Sequence, residues 1–230
     1  MNKKIVKIKK KHVFLALLAI VLLVGVVKAY RAWIGTTRIA FLNYQAIALG
    51  QISNANDNGM IKLSEITTDD FDHLEDYDMI LVNGMGLRID EQQRKQLEEA
   101  SYKVPTLTHA ATNPANNIVS VDNFDADYLM QYIENGSKKN YRNMLAYIRK
   151  FIDGKKFQAP EPDRVDERPD YLLTHFDPKD EKGDELGFNS IREYNAFLAK
   201  NGLYKEGAPT IMLTGFMGAA PDMEKAFEKK

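Results

Sequence analysis

A chain of 230 residues with 44% hydrophobic and 27% charged side chains has the composition of a globular protein with room for one sizeable core. Its formal charge of -1 offers no balance for binding a polyanion, so nucleic acid is not expected as a partner. Cysteine is absent, which excludes disulfides, thiolate metal sites, a cysteine nucleophile and a lipid-modified cysteine anchor.

The start is strongly basic, with Lys3, Lys4, Lys7, Lys9, Lys10 and Lys11 in one short segment. Residues 13–27 then carry no polar side chain. A bilayer span takes about 20 residues, and continuing the run to Ile34 supplies that length. Lys28 and Arg31 can extend their charged heads to the interface, and Tyr30 and Trp33 suit the aromatic belt. Residues 1–36 are therefore predicted to be a leader and single transmembrane helix, with Val13, Leu18, Val27, Tyr30 and Trp33 as anchor residues. The excess of lysine before the run keeps the N-terminus cytoplasmic and sends the body to the exocytoplasmic (periplasmic) side, with the membrane as a partner. A cleaved signal peptide, with Val27-Lys28-Ala29 as its site, is the alternative; Lys28 and the bulky Tyr30 weigh against cleavage.

Downstream, Arg38 to Asn43 is an apolar run with the pattern of a buried strand, followed by a helix over residues 44–55 and a turn at Asn56-Asp57-Asn58-Gly59. Ile61 to Ile66 alternates as an edge strand does. Thr68 is predicted to cap the next helix, and Asp78 to Asn83 is a second buried strand. Asp90 caps a polar helix ending near Tyr102, and Val104 to His109 is the following strand. Helical stripes then run through Phe124, Tyr128, Leu129, Tyr132 and Ile133, and through Tyr141, Met144, Leu145, Ile148, Phe151 and Ile152 to Gly154. Strands alternating with helices predict an α/β fold with a flavodoxin-like or Rossmann-like parallel sheet over residues 37–156. Residues 157–207 read as a linker holding a short strand near Tyr171 and a helix capped by Ser190. From residue 208 a strand and a helix open what looks like an incomplete second α/β domain, so the chain is expected to be the front part of something longer or one piece of a split protein.

In a parallel sheet, ligands meet the loops after the strands' carboxyl ends. Those loops are Asn43-Tyr44-Gln45, Asn83-Gly84-Met85-Gly86-Leu87-Arg88, and His109 through Asn113 to Asn117. They are rich in amides, and Arg88 can fork onto a carboxylate. Each has a plainer explanation: a tight turn for Gly84-Met85-Gly86, a hydrogen-bonded strand end for His109, an Asn-Pro turn at Asn113. His175 with Asp177 and Asp180 is a possible metal cluster, but solvated charge accounts for it better. There is no nucleophile elbow, zinc motif, phosphate-binding loop or calcium loop, so these residues by themselves specify no enzyme.

Five strings together carry a resemblance: Ile39-Ala-Phe-Leu-Asn43, Asn54-Ala-Asn-Asp-Asn58, Asn83-Gly-Met-Gly-Leu-Arg88, Ala110-Ala-Thr-Asn-Pro114 with Asn116-Asn117, and Asn140 to Arg149. They resemble the N-terminal part of membrane-anchored CobN-like proteins, relatives of the large subunits of cobaltochelatase and magnesium chelatase, and in particular an HmuS-like branch associated with haem uptake. Lys205-Glu-Gly-Ala-Pro209 resembles that family's entry into its next α/β domain. The resemblance implies a large subunit that binds a tetrapyrrole and inserts, or in the haem branch removes, its metal. It also implies ATPase partner subunits and the remainder of the chelatase large subunit as partners. Haem or a related tetrapyrrole is then the expected substrate, and Asn43, Met85, Arg88, His109 and Asn113 are the residues expected to meet it. Arg88 would hold a propionate, and Met85 or His109 would approach the iron. No catalytic or metal-holding residue is carried over. The alternative is a non-enzymatic, membrane-tethered flavodoxin-like module for ligand binding or scaffolding. A flavin protein is disfavoured, because the first strand's loop lacks a Ser/Thr-rich phosphate cradle.

Overall fold

The computed structural model describes residues 10–167, 171–179 and 184–209. The basic leader through Lys9, Asp180, and the strand and helix expected beyond residue 209 lie outside them. The described body is mixed α/β, built on a parallel four-stranded sheet in the order β2-β1-β3-β4. Its strands are β1 (Thr37–Leu42), β2 (Ile61–Ile66), β3 (Met79–Asn83) and β4 (Thr106–His109). β1 and β3 occupy the middle, which is why their sequences are apolar on both faces. β2 lies on the edge and keeps its alternation, with Lys62 and Glu65 exposed.

Successive side chains point to opposite faces of each strand and so feed two separate cores. On one face Ile39, Phe41, Met79, Leu81 and Leu107 pack with α2 (Ala46–Ala55), α4 (Asn123–Glu134) and α5 (Lys138–Tyr147). On the other, Ala40, Leu42, Ile80 and Val82 meet a 3-10 helix (Thr68–Asp76) and α3 (Glu91–Ser101). The 3-10 helix starts one residue earlier than the sequence suggests. Thr67, not Thr68, is the cap: its hydroxyl oxygen accepts from the Asp69 N–H at 3.3 Å, and its backbone N–H donates to Asp70 Oδ2 at 2.7 Å. Asp90 and Gln93 form the same device at α3. A small antiparallel pair, β5 (Leu173–His175) and β6 (Leu186–Phe188), packs with α6 (Ile191–Lys200), which Ser190 caps.

The expected transmembrane helix is the reading that the structure corrects. Helix α1 spans Lys10–Trp33, yet among the described residues no helix is long and apolar enough to cross a membrane. The unbroken apolar run at residues 13–27 rises about 22 Å, short of a ~30 Å hydrocarbon core. The residues counted on to complete it are fastened to the body instead. The Trp33 carbonyl accepts from the N–H groups of Lys156 (2.9 Å) and Phe157 (3.0 Å), and the Lys156 ammonium lies 5.3 Å from the Trp33 ring centroid. Ile34 and Gly35 give their carbonyls to Arg149. Val13, Leu18, Val27, Tyr30 and Trp33 all have exposed side chains on this helix.

Arg149 is the other element that organises the body's edge. At Ile148–Ile152 the α5 helix widens into a π-turn, and the guanidinium there is fully buried. Its Nε donates to Gln158, its Nη1 to Gly35, Met60 and the Thr37 hydroxyl, and its Nη2 to Ile34 and Phe157. Thr37 in turn donates to Asp153, which pairs with Lys155 at 2.8 Å. Burial raises the Asp153 pKa, opposed by Lys155 and Thr37, and burial lowers that of Arg149. The segment after this hub is strapped along α4 and α5. Asn140 exchanges hydrogen bonds with the Asp166 backbone, and the Tyr132 hydroxyl donates to the Asp163 carbonyl.

Candidate functional site at the strand ends

The sheet order makes β1 and β3 the point where the chain's connections turn to opposite sides, and ligands of open α/β sheets bind in the crevice there. Three loops build that edge, and hydrogen bonds tie them into one piece. Asn43 adopts φ +60° and turns its amide across the sheet, so that Nδ2 donates to the carbonyls of Asn83 (2.7 Å) and Met85 (3.0 Å). Asparagine tolerates that conformation better than other non-glycine residues. Asn83 Oδ1 accepts from the Met85 N–H at 3.0 Å. Gly84 N–H donates to the His109 carbonyl at 2.7 Å, and Thr112 Oγ1 accepts from Gly86 N–H at 3.2 Å.

Gly84 has no alternative at its position. A Cβ there would stand 2.6 Å from the Ala111 Cα, so a side chain would force the β3 and β4 loops apart. Gly86 adopts φ +67° in the same turn. The amides of Met85, Gly86 and Leu87 all find acceptors within these loops. They are therefore not aimed outward as a phosphate-binding nest would be.

Beneath the loops lie two rings. Tyr44 packs edge-on to Phe41 (centroids 5.1 Å) and to His109 (5.3 Å). Tyr44 Oη and His109 Nε2 are both buried, and among the described residues neither has a hydrogen-bond partner. Burial pushes the Tyr44 pKa far up, with Tyr141 adding to the rise, and burial pulls that of His109 below its ordinary 6.5. Both rings are neutral at pH 7. Ala110, immediately after His109, adopts φ +52° without the side-chain help that Asn43 has. Backbone strain of this kind gathers at ligand-binding edges.

Of the residues expected from sequence, the structure brings Asn43, Met85 and His109 together. Asn43 is spent on bracing the loops, Met85 is 62% exposed at the rim, and His109 faces inward under Tyr44. Arg88 is exposed, and among the described residues it has no ion-pair partner; Asp90 is occupied by its capping box. Asn113 caps the short 3-10 turn at Pro114–Asn116 through Ala115 N–H. Next to it Asn116 is buried, with Nδ2 on the Leu87 carbonyl and Oδ1 unpartnered. Sequence reasoning missed Tyr44 and Asn116 as site elements. Their signal is faint, since a Tyr after a strand and one Asn among several look like ordinary loop residues.

Among the described residues no group of three or more His, Asp or Glu side chains could hold a metal ion. His175 is 1% exposed and packs among the rings of Phe176, Tyr194 and Phe197.

No family model matches the chain, and no curated protein does. Among solved structures, the catalytic subunit of cobaltochelatase from Mycobacterium tuberculosis is similar at a TM-score of 0.40 and 15% identity. The similarity covers 60% of this chain and 13% of that one, so the chain spans a small part of that protein's length.

Proposed function

We propose that this chain is a tetrapyrrole-binding head of the CobN-like kind, with the strand-end crevice as the contact and the remainder of a chelatase large subunit and its ATPase subunits as partners. The observation that carries the reading is the strand-end edge: three loops hydrogen-bonded into one rim over the Tyr44 and His109 rings. The five sequence strings supply the ligand class. Arg88, exposed and unpaired among the described residues, offers its fork to a propionate, and Met85 presents an exposed thioether to the macrocycle.

The role is capture and orientation of the ring. The rim offers one guanidinium and one thioether, a pair suited to holding a large planar acid rather than to moving a metal. An absorbance titration of haem and of metal-free protoporphyrin into the full chain tests it. Both should bind, and Arg88→Ala should cost roughly 1.5–3 kcal/mol, the worth of a hydrogen bond to a charged group. Unchanged affinity in Arg88→Ala, or no binding by the wild type, overturns the assignment.

A further inference from the structure

Arg88 lies in the loop between β3 and α3 with its side chain exposed, so its placement depends on the backbone that carries it. That backbone is held on both sides. The Leu87 side chain is buried in the second core, and Ile89 packs against the same cluster. Asp90 then opens α3 through its capping box. One further hold comes from a different loop. The Leu87 carbonyl, in the peptide that joins Leu87 to Arg88, accepts from Asn116 Nδ2 at 3.3 Å.

Asn116 is 2% exposed, so water does not compete for this hydrogen bond. The partner also sets the orientation of the amide: reversing it would place Oδ1 against a carbonyl, acceptor against acceptor. The Asn116 backbone is anchored in turn. Its N–H donates to the Asn113 carbonyl (2.9 Å), and its carbonyl accepts from the Ile118 N–H (3.0 Å). The segment beyond pairs back onto β4, with Thr108 N–H on the Ile118 carbonyl and Ser120 N–H on the Thr106 carbonyl. A continuous line of contacts thus runs from the edge strand, through one buried amide, to the peptide preceding Arg88.

The other half of the β3 loop is braced separately. Asn43 holds the carbonyls of Asn83 and Met85, and Thr112 accepts from the Gly86 N–H. The Asn116 amide serves the arginine end. We infer that Asn116 is a positioning residue for Arg88, fixing the backbone from which the guanidinium reaches a propionate. A group placed in advance loses less freedom on binding and so contributes more affinity. The propionate rests on the tetrapyrrole reading; the hold on the loop can be measured without any ligand.

Haem titrations of the full chain as wild type, Asn116→Ala, Arg88→Ala and the double variant form a cycle. Asn116→Ala should bind haem about three- to tenfold more weakly. In the Arg88→Ala background the same change should alter affinity by less than about twofold, because the group it positions is gone. A merely structural role would weaken binding by the same factor in both backgrounds, and that result overturns the inference. Backbone amide order parameters of the haem-free chain are the second readout. In Asn116→Ala they should fall at residues 87–89 and stay unchanged at 83–85, where Asn43 does the holding. Unchanged values at 87–89 overturn the inference as well. No haem binding by the wild type brings down the tetrapyrrole reading and the propionate role of Arg88, while the order parameters still decide the hold on the loop. Asn116→Ser takes the place of the alanine variant should that one fail to fold.

Discussion

Tyr44 follows the end of β1 and His109 ends β4, two strands away, yet their rings meet edge to face with centroids 5.3 Å apart. Each adjoins a residue in the left-handed region, Asn43 on one side and Ala110 on the other. The contact lies beneath the strand-end loops, and both polar tips are kept out of water. Its chemistry governs the first prediction.

Burial holds the His109 imidazole below 6.5 in the fold, whereas the unfolded chain titrates near that value. Between the two values the unfolded state binds the extra proton, so stability rises with pH and is lost as pH falls below about 6.5. His109→Phe should flatten that part of the profile. Urea unfolding of both proteins across this range checks it; parallel profiles would show that His109 titrates alike in the folded and unfolded chains.

Ala110 carries its φ of +52° with a Cβ and no compensating side-chain bond. Ala110→Gly should therefore raise stability by about 0.5–1 kcal/mol, the relief of a left-handed residue less the added backbone entropy of glycine. A fall in the urea midpoint would mean that the alanine methyl makes contacts worth more than the strain.

Gly84→Ala should act in the opposite direction. Its Cβ would meet backbone at 2.6 Å, and overpacking of this sort costs about 1–3 kcal/mol. Haem affinity should fall with stability, because the same movement opens the rim. A variant as stable as wild type would show that the β3 and β4 loops can separate without cost.

Arg149→Leu leaves the carbonyls of Ile34, Gly35, Met60, Phe157 and Gln158 without their common donor. The expected loss is roughly 3–5 kcal/mol. Arg149→Lys should recover little of it, since an ammonium has three donors and no planar fork. Denaturant titration of the three proteins checks both statements, and full rescue by lysine would reduce the hub to a matter of charge.

The parallel sheet was legible because the buried strands are unbroken apolar runs, and the caps at Asp90 and Ser190 were legible because capping is local. What escaped is set by contacts between distant segments. Nothing near Trp33 announces that Lys156 and Phe157 take up its carbonyl, so the apolar run on its own reads as a membrane span. Arg149 and Asn143 sit in an apolar helical stripe, and a polar residue there is the one sequence sign of a buried clamp. At the crevice, chain order alone located the loops. It could not show that Asn43 would be used as a brace or that Tyr44 would cover His109.

The central claim is one of place, and amide hydrogen exchange of the full chain with and without haem tests it most directly. Saturating haem should slow exchange at residues 44–45, 83–88 and 109–117, where the three loops form one rim, and leave α6 and the β5–β6 pair unchanged. Protection that falls elsewhere in the chain, or none at saturation, would contradict the account.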